Sequence, residues 1–159
     1  MAPSELSIVH IYELADRLFV HPLALTDAGF WLAVSPARRL ERDPAPDSLG
    51  GIVSELAQPR EQRVPAPART DYPTVLAPIL DVAGVRSWTR LEREARLCEV
   101  ARKVTELVVI PTESSEQKGF SRLEMLAQAF PLAVSSTELG RAVLVGLTQS
   151  RSRVRNGAV

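Results

Sequence analysis

The chain has 159 residues, 45% of them apolar and 24% charged, the proportions of a globular domain rather than of a disordered or fibrous segment. Nineteen Lys and Arg offset nineteen Asp and Glu, a balance that argues against a dedicated nucleic-acid binder, whose surface is normally basic. The lone cysteine, Cys98, excludes an intramolecular disulfide; no run reaches the ~18 apolar residues of a membrane helix, and the start lacks a signal-peptide layout, so the expected compartment is the cytoplasm.

Leu6 to Leu14 is rich in branched and aromatic residues and apolar on both faces, the pattern of a buried central strand. A turn at Ala15-Asp16-Arg17 leads to a second strand over Leu18 to Leu25. Pro22 lacks an amide for the ladder, which predicts an edge position or a bulge there. Thr26-Asp27-Ala28-Gly29 is a turn signal, and Phe30 to Val34 is the third strand of an antiparallel meander. Arg38 to Asp47 reads as a polar connection. It ends at an N-cap, Asp47 or Ser48, for a helix over about Leu49 to Gln58 with Leu49, Ile52, Val53 and Leu56 on one stripe.

Residues 59–69 contain three prolines and no periodicity, as expected of an internal loop. Tyr72 to Ala83 has helical character, but Pro78 fits a first turn best, so a short turn followed by a helix from Pro78 to Ala83 is expected, closed by Gly84. Ser87 can cap a brief helix containing Trp88 and Leu91. Two further strands are read over Leu97 to Lys103 and Val104 to Pro111, with Thr112 to Gly119 as a polar turn. Phe120 to Ala133 is mixed, and its second half is assigned to a strand. Ser135 and Glu138 form a capping box for a helix from about Thr137 to Thr148.

The expected fold is a single α+β domain over residues 1–149, mainly an antiparallel sheet with two or more helices packed on it, followed by a flexible basic tail over 150–159. A gapless shift of ninety residues superposes Gly29-Phe30 on Gly119-Phe120, Leu49-Gly50 on Leu139-Gly140 and Val53 on Val143. This suggests a β-β-β-α pseudo-repeat, two units sharing one sheet with both helices on one face.

Chemistry-bearing patterns are sparse. If the first two strands pair across Ala15-Asp16, residues whose numbers sum to about thirty-one face each other, which sets His10 close to His21 among apolar neighbours. Two imidazoles fall short of the three protein ligands that zinc requires, and Cys98 is the only other soft donor, so no metal or other cofactor is expected. The sequence contains no G-x-S-x-G elbow and no phosphate-binding glycine loop; Gly50-Gly51 reads as a helix start or a close helix contact. A non-enzyme is therefore expected, with a small enzyme assembled around His10 and His21, or a generic protein-binding adaptor, as alternatives. Phe30 and Trp31 are adjacent on a strand, so one faces the core and the other points away. An outward Trp31 would be a binding anchor, unless a loop or helix covers it.

Several stretches resemble the immunity proteins of bacterial contact-dependent growth inhibition systems. They are T-D-A-G-F-W-L-A at 26–33, L-G-x-x-V at 49–53, A-G-V-R-S-W at 83–88, V-V-I-P-T at 108–112, K-G-F at 118–120 and S-T-E-L-G-R-A-V-L at 136–144. The resemblance spans most of the chain in serial order. It implies a small cytosolic α+β protein, monomeric or weakly self-associating, that binds the C-terminal toxin domain delivered by a neighbouring cell, commonly a nuclease, and silences it without catalysis. It implies no direct contact with nucleic acid or membrane. The expected contact residues are Trp31 and two local acidic pairs, Asp43 with Asp47 and Glu113 with Glu116.

Overall fold

The computed structural model describes residues 5–115 and 119–152. Eight strands, β1 (Ser7–Glu13), β2 (Arg17–Leu25), β3 (Trp31–Ala33), β4 (Arg38–Glu41), β5 (Arg96–Arg102), β6 (Glu106–Ser114), β7 (Phe120–Arg122) and β8 (Gln128–Pro131), form one antiparallel sheet. Four helices, α1 (Pro46–Leu56), α2 (Tyr72–Ala83), α3 (Trp88–Glu94) and α4 (Ser136–Gln149), complete an α+β domain. The strand order is β3-β2-β1-β5-β6-β7, with β4 also on β2 and β8 also on β6.

The expected repeat is present, with four strands per unit rather than three. β1, β2 and β3 recur 89 residues later as β5, β6 and β7, and β4 and the start of α1 recur 90 residues later as β8 and the start of α4. The third strand is broken in both units for the same reason. Pro22 and Pro111 lack the amide that a continuous partner would need, and each lies where one short partner strand stops and the next begins. Val34 donates to the Pro22 carbonyl at 3.1 Å and Leu123 to the Pro111 carbonyl at 2.8 Å. The strand β2 is therefore interior, not an edge. The one-residue difference also realigns the third strands, so that Trp31, not Phe30, corresponds to Phe120.

On one face α1 and α4 pack against each other and onto the sheet. Leu49, Val53, Leu139, Val143 and Leu147 bury against Val9, Ile11, Val20, Val100 and Val109. Fully burying a side chain of this size contributes roughly 1.5–3 kcal/mol. The helices meet backbone to backbone: a Cβ on Gly50 would overlap the Ser136 carbonyl oxygen, and one on Gly140 would overlap that of Pro46. These contacts are related by the same 90-residue shift, so the crossing is a local two-fold.

Other boundaries differ from expectation. Helix α1 starts at Pro46, after an Ala45 that caps with no side chain, because proline at the first position needs no amide partner. Asp47 lies inside the first turn, where the helix dipole favours a carboxylate. Helix α2 runs unbroken through Pro78, which lies on an exposed side where solvent can take the carbonyl it leaves unpaired; Gly84 ends it in the left-handed region at φ 73°. Strand β4 occupies part of the expected polar connection. Its sequence, RRLE, has no apolar alternation because it is an exposed edge held by backbone pairing to Arg17–Val20. Strand β6 extends to Ser114, into the expected turn.

The caps at Ser87 and Ser135 are as expected, accepting from the amides of Arg90 at 3.2 Å and Glu138 at 3.1 Å. Of the expected tail, Arg151 pairs with β6 through Glu113 and Ser152 is buried, while residues 153–159 lie outside the described region. Within residues 59–69, Val64 bridges Thr26 and Arg60 donates to the Ser35 carbonyl at 3.1 Å, which ties the loop to the sheet. Between the two units, α2 and α3 fold onto the second face of the sheet, over Tyr12, Phe19 and Leu97. The second unit has no counterpart of this insertion among the described residues, so the molecule's symmetry ends there.

Candidate functional site

Side chains alternate along a strand, so the residues of β1, β2 and β5 that turn away from α1 and α4 form a second surface: Tyr12 and His10, Phe19 and His21, Leu97 and Glu99. Between this surface, the α2–α3 insertion and β7 lies a cavity of about 340 Å³. Six of the chain's eight Phe, Trp and Tyr residues line it: Tyr12, Phe30, Trp31, Tyr72, Trp88 and Phe120. Tyr12 meets Trp88 and Phe120 edge to face, with centroids 6.4 and 6.0 Å away, and Phe30 stacks on Tyr72 at 6.5 Å. Trp31 also lines a second cavity of about 460 Å³ on the side of the 58–63 loop.

Charge is concentrated at the floor. His21, His10 and Glu99 stand in one cross-strand row, the first pair matching the register expected from the hairpin. His10 Nε2 donates to the Glu99 carboxylate at 2.8 Å, and its Nδ1 faces the Tyr12 hydroxyl at 3.3 Å. The neighbours of His10 are thus not simply apolar, because β5 brings Glu99 opposite it. Arg122 Nε donates to Glu99 at 2.5 Å, and its terminal nitrogens donate to Glu5 at 2.6 and 3.2 Å. Burial alone would raise the Glu99 pKa, but the His10 hydrogen bond and charge, with those of Arg122, bring it below the usual carboxylate value.

Three buried groups, His21, Tyr12 and Cys98, are held in their neutral forms. Burial, then the charge of His10, lowers the His21 pKa to about 3 against the pull of its hydrogen bond to the Pro22 carbonyl. That carbonyl accepts from Nδ1 at 2.9 Å, so Nε2 carries the bare lone pair, buried with no partner. Burial, then the charges of Glu99 and Glu92, pushes the Tyr12 phenol far up. Burial, then Glu99, does the same to the Cys98 thiol, which points to the opposite face of the sheet and packs at Gly146. Among the described residues no three His, Cys, Asp or Glu side chains converge as a metal site. Among the same residues, no helix is long and apolar enough to cross a membrane.

The expected contact residues are dispersed. Trp31 is half-buried as a wall of the cavity, and Phe30 is exposed rather than core, so the expected core–outward pairing gives way to two aromatics lining one cleft. Asp43 and Asp47 are exposed at the junction of β4 and α1. Glu113 is half-buried on β6, four strand positions from β4 and hence roughly 19 Å across the sheet. Glu116 lies outside the described residues. Sequence reading missed Glu5, Glu99 and Arg122, whose positions are brought together only by β1–β5 and β6–β7 pairing.

No family model matches the sequence, and no curated protein does. Solved structures share the fold. A protein of unknown function from Neisseria meningitidis superposes with a TM-score of 0.71 at 14% identity, over 95% of this chain and 100% of that one. A chain of a CdiA-CT/CdiI toxin and immunity complex from Yersinia pseudotuberculosis superposes with a TM-score of 0.69 at 12% identity, over 91% of this chain and 97% of that one.

Proposed function

We propose that the protein is a non-catalytic immunity protein that binds and neutralises a toxin domain of a contact-dependent growth inhibition system, a nuclease by preference, in the cytoplasm. The observation that carries this reading is the fold shared with a chain of a toxin and immunity complex along nearly the whole of both chains. Side-chain chemistry favours the immunity role over the toxin role. His10 has both ring nitrogens engaged, and His21, Tyr12 and Cys98 are buried groups held neutral by their surroundings. Such groups suit a rigid binding surface better than proton transfer or nucleophilic attack.

The face bearing the aromatic cavity is the proposed docking surface, with Trp31 as its anchor. Asp43 and Asp47 on one flank, and Glu113 on the other, would act as separate acidic contacts that steer association rather than as one patch. The test is co-expression with the protein encoded by the adjacent upstream reading frame. Restored growth and a co-purifying one-to-one complex are expected; growth arrest undiminished by a well-folded chain would refute the reading.

A further inference from the structure

The two sheet edges that the repeat makes equivalent are finished differently. Among the described residues β4 and β8 each pair on one side only, β4 with β2 and β8 with β6. Their inward residues match, since Leu40 and Phe130 both pack on the core beneath α1 and α4. Their outward chemistry does not. Residues 35–47 carry Arg38, Arg39, Glu41, Arg42, Asp43 and Asp47. Ninety positions on, residues 125–137 carry no charge at all, and no other run free of charged residues in the chain is as long. Three of the β4 side chains are also tied to the body of the protein: Arg38 to Glu55, Arg39 to the Val82 carbonyl of α2 and Arg42 to the Ala15 carbonyl. Charges of this kind keep an open strand from pairing with another chain. β8 has no such guard. None of residues 125–137 is buried, and Met125 is fully exposed between exposed Glu124 and Leu126. A surface stretch this long without charge has the composition of an interface core.

We infer that β8 is a self-association edge, pairing antiparallel with β8 of a second copy of this chain about a two-fold axis beside Ala129. Charge selects this occupant. A two-fold sets a residue on the axis against its own image, so an edge built like β4 would bring two Arg39 guanidiniums together. Only an uncharged edge pairs with itself free of that repulsion. A different protein would be selected by complementary charges, and this edge has none. Side-chain alternation agrees. Phe130 faces the helices, so Ala129 points to the other side of the sheet, where its small size admits its image. Pro131 lacks an amide, which confines the pairing to Gln128–Phe130 and keeps the association weak. The inference is independent of the role proposed above.

The test is sedimentation equilibrium of the full chain over a range of concentrations. The average mass is expected to rise with concentration toward twice that of the chain. Ala129→Arg and Ala129→Glu should each weaken self-association about tenfold, because each sets a charge against its own image. An equimolar mixture of the two variants should restore it, because opposite charges then meet. Val145→Arg, on the exposed outer side of α4, should associate as the parent does. Ala129 is exposed, so both variants are expected to fold, and thermal unfolding verifies this. A parent chain that stays monomeric at every concentration overturns the inference. So does self-association that both Ala129 variants retain, or a mixture that associates no better than either variant alone. A monomeric parent whose binding to the protein of the adjacent reading frame is weakened by Ala129→Arg would assign the edge to that partner, and would equally overturn it.

Discussion

The two faces of the sheet are built from the same strands and differ in almost every other respect. One is covered by α1 and α4, related by a local two-fold, and is held by apolar contacts and glycine-mediated backbone approach. The other is covered by an insertion found, among the described residues, in one unit only, and it gathers most of the aromatics with an ion-pair cluster around Glu99. The contrast divides the labour of the molecule. The symmetric face holds the fold together, and the asymmetric face provides a shaped, charged surface. His10 and Glu99 illustrate the division, since they are cross-strand partners and also occupy equivalent positions in the two units.

The largest expected effect tests the closed face. Gly50→Ala and Gly140→Ala each drive a methyl into a helix backbone that cannot yield, and a loss of about 4 kcal/mol or failure to fold is expected in urea titration. Gly51→Ala, one residue away, meets only the Ser136 hydroxyl at 3.9 Å and should be neutral or stabilising by about 0.5–1 kcal/mol. Equal effects at Gly50 and Gly51 would break the account of the helix crossing.

On the open face, Arg122→Gln leaves the carboxylates of Glu5 and Glu99 without their cation, with an expected loss of about 3 kcal/mol at pH 7 by chemical denaturation. The Glu99 pKa is depressed in the folded state, so its contribution is present above the unfolded value near 4 and is lost as pH falls below it. Arg122→Gln should therefore flatten the stability profile in that acid range.

His21 acts in a separate window. Its folded pKa of about 3 lies below the unfolded 6.5, so the unfolded chain takes up the proton first. Stability is full above pH 6.5 and falls as pH drops toward 3, by about 2 kcal/mol between pH 7 and pH 5. His21→Phe should abolish that slope, measured as the denaturation midpoint at the two pH values. A slope that persists would assign it to another group.

The sequence was legible where information is local. The β1–β2 register, the Ser87 and Ser135 caps and the Gly84 terminus follow from neighbouring residues, and the repeat was visible because Gly50 and Gly140 are demanded by one crossing. β4 was missed because an exposed edge strand needs no apolar alternation. Glu99, Arg122 and the aromatic cavity were missed because their parts come from distant segments, and no spacing rule connects Tyr12 with Trp88 or His10 with Glu99.

The most direct test of the central claim, that the asymmetric face is the one presented to a partner, is hydrogen exchange of the full chain with and without the protein encoded by the adjacent reading frame. Protection is expected at β3, the start of α2, α3 and residues 119–122, with the outer surfaces of α1 and α4 unchanged. Protection confined to α1 and α4, with the cavity segments exchanging as in the free protein, would contradict the account.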